Sequence, residues 1–163
     1  IKDRIFIKDS NIKNIKKIEL NYSELSDNII RVIKGTNFDY FSTKAQHRFF
    51  NQEFSVTKLA DRMGIRLSGY KLENIVSTNI KSEGLVKGVI QVPADGDPII
   101  MLSDHGTIGG YPKIAIVISA DLDRVGQLTP GSTINFKEVS LEEAENIFKA
   151  YVEDTNKYLN ENN

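Results

Sequence analysis

The chain has 163 residues, of which 40% are hydrophobic and 26% charged, and its formal net charge is -1. That suits one domain able to bury about 70% of its unfolded surface, and the near-neutral balance favours neither nucleic acid nor an anionic membrane as a partner. With no cysteine there is no disulfide framework and no thiolate metal site, and no apolar run approaches the ~20 residues of a bilayer span.

In chain order, residues 1–28 are rich in Lys, Asn and Ile and contain neither Gly nor Pro; they read as a short strand at 5–7 and a loosely patterned connection. NIIRVIKG (28–35) reads as a strand with a glycine stop. STKAQHRFFNQ (42–52) reads as a helix capped by Ser42, with Ala45, Phe49 and Phe50 on one side and His47 at the surface. EFSVT is a short strand. DRMGIRLSG (61–69) alternates, which predicts Met63, Ile65 and Leu67 on one face and Arg62, Gly64 and Arg66 on the other.

VKGVIQV, PIIML and KIAIVIS follow as strands, joined by PADGD and by SDHGTIGGYP. KIAIVIS is apolar on both faces, which predicts a central strand with Ile116 buried. SADLDRVGQL reads as one or two helical turns capped by Ser119, and TPGSTINFKEV as a turn and a last strand. From Leu141 to about Leu159, Leu141, Ala144, Ile147, Phe148, Tyr151 and Val152 recur at helical spacing behind Glu142 and Glu143, the pattern of an amphipathic helix. Many short strands with glycine-rich turns predict a mainly β fold forming a closed or nearly closed barrel, with one short internal helix and a C-terminal helix. The expected organisation is a connection over 1–28, the barrel over 29–140 and the helix over 141–163.

SDHGTIGGYP (103–112) is unusually restricted for a connection. GTIGGYPK is not a phosphate-binding P-loop, because the spacing differs and a strand rather than a helix follows. Ser103, Asp104 and His105 hold the residue types of a hydrolytic triad, but neighbours on an extended chain point to opposite faces. His47 and His105 lack ligand-spaced companions, so no metal site is expected. Arg62 and Arg66 on one strand face, about 13 Å apart at ~3.3 Å per residue, suit either a solvated face paired to Asp61 or Glu83, or a groove gripping a carboxylate. Gln91 is an amide inside an apolar strand, so it orders a neighbouring loop or a ligand. Gly109 and Gly110 are expected to take conformations closed to other residues and so turn a barrel corner.

DRMGIRLSG, KSEGLVKGVIQVPADGDPI, SDHGTIGGYPKIAIVISADL and QLTPG, in that order, resemble the family of 5-oxoprolinase C subunits, also called allophanate hydrolase subunit 2 or urea amidolyase-related. The resemblance runs over about residues 30–139 and rests on the GxIQVPxDGxPI and TxGGYPK signatures; His105 and Gly106 stand where the family usually has arginine and glutamine. It implies a cyclophilin-like barrel, the C-terminal part of a longer protein whose N-terminal half is missing here. It also implies a cytoplasmic role in ATP-dependent opening of 5-oxoproline to glutamate with the family's A and B subunits. ATP would be used by that complex, and no cofactor is expected on this chain itself. Arg62, Arg66, Gln91, Asp104, His105, Thr107, Tyr111 and Lys113 are the expected substrate-binding residues. The family also includes an antagonist of a sporulation-kinase inhibitor and a module of urea carboxylase. A regulatory binding module and a carboxyltransferase module are therefore the alternatives.

Overall fold

A computed structural model describes residues 28–161, with side chains described as far as Lys157; the expected strand at 5–7 lies outside the described residues. Seven strands close into a barrel: β1 (Ile29–Lys34), β2 (Phe54–Val56), β3 (Gly64–Ser68), β5 (Val89–Gln91), β6 (Ile99–Met101), β8 (Lys113–Val117) and β9 (Thr133–Glu138). Two more, β4 (Glu83–Gly84) and β7 (Ile108–Gly109), form a separate ribbon. Around the barrel the order is β1-β8-β5-β6-β3-β2-β9. Every neighbouring pair is antiparallel except β1 and β9, which run parallel and close the ring. Closure leaves these short strands without a free edge.

Alternation fills the interior. Ile30 and Val32 of β1, Ile65 and Leu67 of β3, and Ile134 and Phe136 of β9 are all buried. Helix α1 (Thr43–Asn51) packs on the barrel because Ala45 and Phe49, four residues apart, share its inner face. Ser42 caps it, its hydroxyl accepting from Ala45 N at 3.1 Å. Phe49 stacks on Phe136 with ring centroids 4.5 Å apart and touches Phe54 and Phe50 edge-on or tilted. Gly96, at φ 77°, closes the turn between β5 and β6, with its N–H donating to the Pro93 carbonyl.

After β8 a 3-10 turn (Ser119–Asp121) leads into α2 (Leu122–Val125). Ser119 sits inside that turn and caps nothing, contrary to the sequence expectation. The link to the barrel is the fully buried Asp121, which accepts from Arg31 backbone N at 2.7 Å and from its guanidinium. A buried carboxylate needs such matched donors to offset its lost hydration.

Helix α3 (Leu141–Glu161) starts from a reciprocal cap: Glu143 N donates to Ser140 Oγ at 3.1 Å, and Ser140 N donates to Glu143 Oε2 at 2.7 Å. The Ser140 N–H holds the Glu143 carboxyl below its ordinary pKa. Ala144 and Ile147 pack on Ile118, Ala120 and Val139, while Leu141, Phe148 and Val152 stay exposed. Tyr151 donates to Asp123 at 2.6 Å, which raises the pKa of the phenol. Among the described residues no helix is long and apolar enough to cross a membrane.

Three strand expectations need correction. Ile116 is half-buried, because its outward face and that of Ile33 are only partly covered by α3; the fully buried positions of β8 are Ile114 and Ala115. Met63 is 56% exposed and precedes β3. Arg62 also lies before the strand, so it shares no strand face with Arg66.

Candidate functional site

The antiparallel register of four strands sets one lateral row. Lys113 of β8 pairs with Gln91 of β5, Gln91 with Ile99 of β6, and Ile99 with Arg66 of β3. Residues in register share a face. The adjacent row, Ala115, Ile90, Ile100 and Ile65, is core. The polar row therefore lies on the outside of the barrel wall, spanning about 14 Å at ~4.8 Å per strand.

A β-bulge decides its composition. Ile90 faces Ala115, so a regular ladder would set Gln91 opposite Ile114. The register shift between Ile90 and Gln91 puts Lys113 there instead. One extra residue thus replaces an isoleucine by a lysine beside the buried amide.

The two-stranded ribbon covers this end of the row. It sets Glu83 of β4 opposite Gly109 of β7, and Gly84 opposite Ile108. Leu85 N donates to the Thr107 carbonyl at 3.0 Å and Ile80 N to the Gly110 carbonyl at 2.8 Å. From the ribbon, Glu83 Oε2 reaches Lys113 Nζ at 2.6 Å; the lysine side chain is 5% exposed and the glutamate 47%. Gln91 Nε2 donates to the Tyr111 carbonyl at 3.1 Å, so the buried amide does order a loop. Asn37 Oδ1 accepts from Lys113 N at 3.1 Å, and Asn37 is itself buried.

Gly109 and Gly110 of SDHGTIGGYP serve closeness rather than handedness. Gly106, Gly109 and Gly110 are not among the positive-φ glycines, which corrects the expectation of special backbone conformations. A Cβ on Gly109 would stand 2.7 Å from Gln91 Nε2 and 2.8 Å from Leu85 Cδ1, and one on Gly110 3.2 Å from the Ile80 carbonyl oxygen. The loop is thus one strand of a ribbon pressed onto the barrel, not a corner of it.

The two arginines do not form a joint clamp. Arg62 pairs with Asp104 at 2.9 Å and is 88% exposed, so this contact is worth little. Arg66 pairs with Asp95 at 2.9 Å. Neither uses Asp61 or Glu83, the partners that spacing suggested; Asp61 instead accepts from Met63 N and Gly64 N in the turn before β3. Gly64 leaves no gap for a ligand, because a Cβ there would meet Ile99 Cγ2 at 3.0 Å. Asp104 N donates to the Arg62 carbonyl, and His105 Nδ1 lies 2.6 Å from the Gly106 carbonyl. Thr107 is exposed in the ribbon, and the Tyr111 side chain is half-exposed beside it.

The structure therefore joins Gln91, Tyr111 and Lys113 directly and places Arg66 in the same row. Arg62, Asp104 and His105 gather where the loop begins, and Thr107 sits on the ribbon. Sequence reading named Glu83 only as a partner for the arginines, whereas it pairs with Lys113, and it missed Asn37 and Asp95 as parts of this assembly. KSEG gave Glu83 its only signal, a charge beside a glycine ahead of a strand. Two cavities lie elsewhere: one of 270 Å³ includes Asn28, Arg124, Gln127 and Ser132, and another of 200 Å³ lies under α3 with Ile33, Ile116 and Phe148. Chemically, the row offers an ammonium and a guanidinium at its two ends with a carboxamide next to the ammonium. That set complements a small molecule carrying a carboxylate and an amide.

The chain matches the family described as "Carboxyltransferase domain, subdomain A and B" over residues 2–138. It is 41% identical over 116 residues to the 5-oxoprolinase C subunit of Haemophilus influenzae, covering 71% of this chain and 38% of that protein. It is 38% identical over 117 residues to the 5-oxoprolinase C subunit of Escherichia coli, covering 72% and 38%. The chain thus spans about two fifths of the length of these relatives. In structure it resembles the K. lactis urea amidolyase, with a TM-score of 0.76 at 28% identity, covering 88% of this chain and 9% of that one. On the match over residues 2–138, the chain belongs to the carboxyltransferase domain family, subdomains A and B.

Proposed function

We propose that this barrel is the substrate-positioning part of an ATP-dependent 5-oxoprolinase, acting with the other subunits of that cytoplasmic enzyme, the family's A and B subunits. The similarity to two 5-oxoprolinase C subunits, at 41% and 38% identity, carries the reading. The row of Lys113, Gln91 and Arg66 supports it, since a lactam acid presents one carboxylate and one amide. A lactam carbonyl is a poor electrophile. Transfer of the γ-phosphoryl group of ATP to its oxygen makes C5 open to water. Attack forms the new C–O bond and the ring C–N bond breaks with the nitrogen leaving protonated, which gives a γ-glutamyl phosphate, ADP having left at the transfer step. A second water hydrolyses that acyl phosphate to glutamate and phosphate. In this scheme Lys113 holds the carboxylate, Gln91 and Tyr111 fix the ring, Arg66 stands at the far end of the row, and the partner subunits bring the nucleotide. Arg62, Asp104, His105 and Thr107 form the rim.

A second reading, carboxyl transfer to urea, is favoured by the likeness to K. lactis urea amidolyase over 88% of the chain. A chimera separates the two. The matching segment of the E. coli C subunit is replaced by this chain's and assembled with the E. coli partner subunits. The expected result is glutamate release that requires both ATP and 5-oxoproline. An assembled, folded chimera with no such turnover contradicts the proposal, and the same segment grafted into a urea carboxylase that then carboxylates urea supports the second reading.

A further inference from the structure

We infer that Glu83 is an internal stand-in for the substrate's carboxylate, seated on Lys113 until a ligand carboxylate replaces it. The inference rests on the lactam reading above for the identity of that ligand.

The two partners of this ion pair differ in how they are held. Lys113 is anchored in a barrel strand, its side chain 5% exposed and its backbone bonded to Asn37. Glu83 is 47% exposed and belongs to a two-residue strand that pairs only with another two-residue strand outside the barrel. Its neighbour Gly84 has open space where a Cβ would stand. The movable member is therefore the carboxylate.

Its departure without a replacement is costly, because it strands a buried ammonium. Exchange for an incoming carboxylate avoids that cost. Lys113 keeps one negative partner throughout, and the half-exposed Glu83 gains water as it leaves. The Gln91 amide, next to Lys113 in the row and covered by Gly109, then faces the ligand's own amide. The ribbon carrying Glu83 is tied to the same amide through Gly109 and Tyr111, so lifting one carboxylate opens both polar groups together. The site so opened selects small acids that carry an amide close to the carboxylate.

Calorimetric titration of the wild type, Glu83→Gln and Lys113→Met tests this, with 5-oxoproline, N-acetylalanine and the carboxylate-free 2-pyrrolidinone as probes. Glu83→Gln keeps an acceptor for Lys113 but removes the competing charge. It is expected to tighten both acids about fivefold, equivalent to ~1 kcal/mol, and to leave 2-pyrrolidinone unchanged. Lys113→Met is expected to lose acid binding. If Glu83→Gln does not fold, Glu83→Asp, drawn back by one methylene, is expected to tighten the acids by a smaller factor. Unchanged or weaker acid binding in the Glu83 variants overturns the exchange, as does the absence of acid binding in every variant. Equal 5-oxoproline affinity in wild type and Glu83→Gln overturns the exchange while leaving the lactam reading intact. Tightening for N-acetylalanine alone, with no 5-oxoproline binding, supports the exchange and removes the lactam reading.

Discussion

Phe49→Ala is expected to destabilise the fold by about 3–5 kcal/mol, the cost of a buried aromatic truncated to a methyl. Phe49 is fully buried, and it joins α1 to the barrel by stacking on Phe136 at 4.5 Å and meeting Phe54 and Phe50. Truncation leaves a cavity that three rings border and cannot fill without leaving their own packed positions. A thermal melt should fall by about 10 °C or more. A fall of only two or three degrees would mean that α1 is an accessory to the barrel rather than part of its core.

Gly35→Ala should be nearly as damaging, and at the site rather than the core. A Cβ on Gly35 would run into the Lys113 carbonyl and come within 2.8 Å of Ala115 N and Ile114 C, all backbone atoms of β8. Backbone cannot swing aside as a side-chain tip can, so β1 must part from β8 at the end where Lys113 is held. Gly35 N donates to the Ile114 carbonyl at 2.9 Å, and that bond goes too. Overpacking of this kind costs about 3 kcal/mol at the upper end of its usual range. Denaturant unfolding measures it. A cost below about 0.5 kcal/mol, the level of ordinary surface substitutions, would show that the close approach of β1 to Lys113 is not required.

The barrel was legible in the sequence because many short apolar runs, the longer ones β1 and β9 alternating, are punctuated by glycines or prolines. The cap of α1 and the span of α3 were legible for a similar reason: Ser42 and the 3.6-residue apolar spacing are local signals. The ribbon was not. Strands of two residues, Glu83–Gly84 and Ile108–Gly109, are too short to show a period, and their pairing is set by the barrel wall beneath them. Ile116 was misread because KIAIVIS is apolar on both sides while α3 covers its outer side incompletely. At the candidate site, Gln91 stood out as a polar residue in an apolar strand. The lysine opposite it depends on a bulge, a long-range feature of register that residue types alone do not specify. Arg62 and Arg66 looked like a pair because they are four residues apart. The turn held by Asp61 starts the strand after Arg62 and separates them.

The central claim, that Lys113 and Gln91 under the β4–β7 ribbon form the lactam-acid site, is tested most directly by titrating 5-oxoproline into the 15N-labelled protein. The Gln91 side-chain amide is a reporter inside the site. Its two protons and the backbone amides of Glu83, Gly109, Gly110, Tyr111 and Lys113 are expected to shift together and to saturate along one binding curve. Shifts confined to the cavity that includes Arg124 and Ser132, or a Gln91 amide that does not respond at saturating 5-oxoproline, would contradict the account.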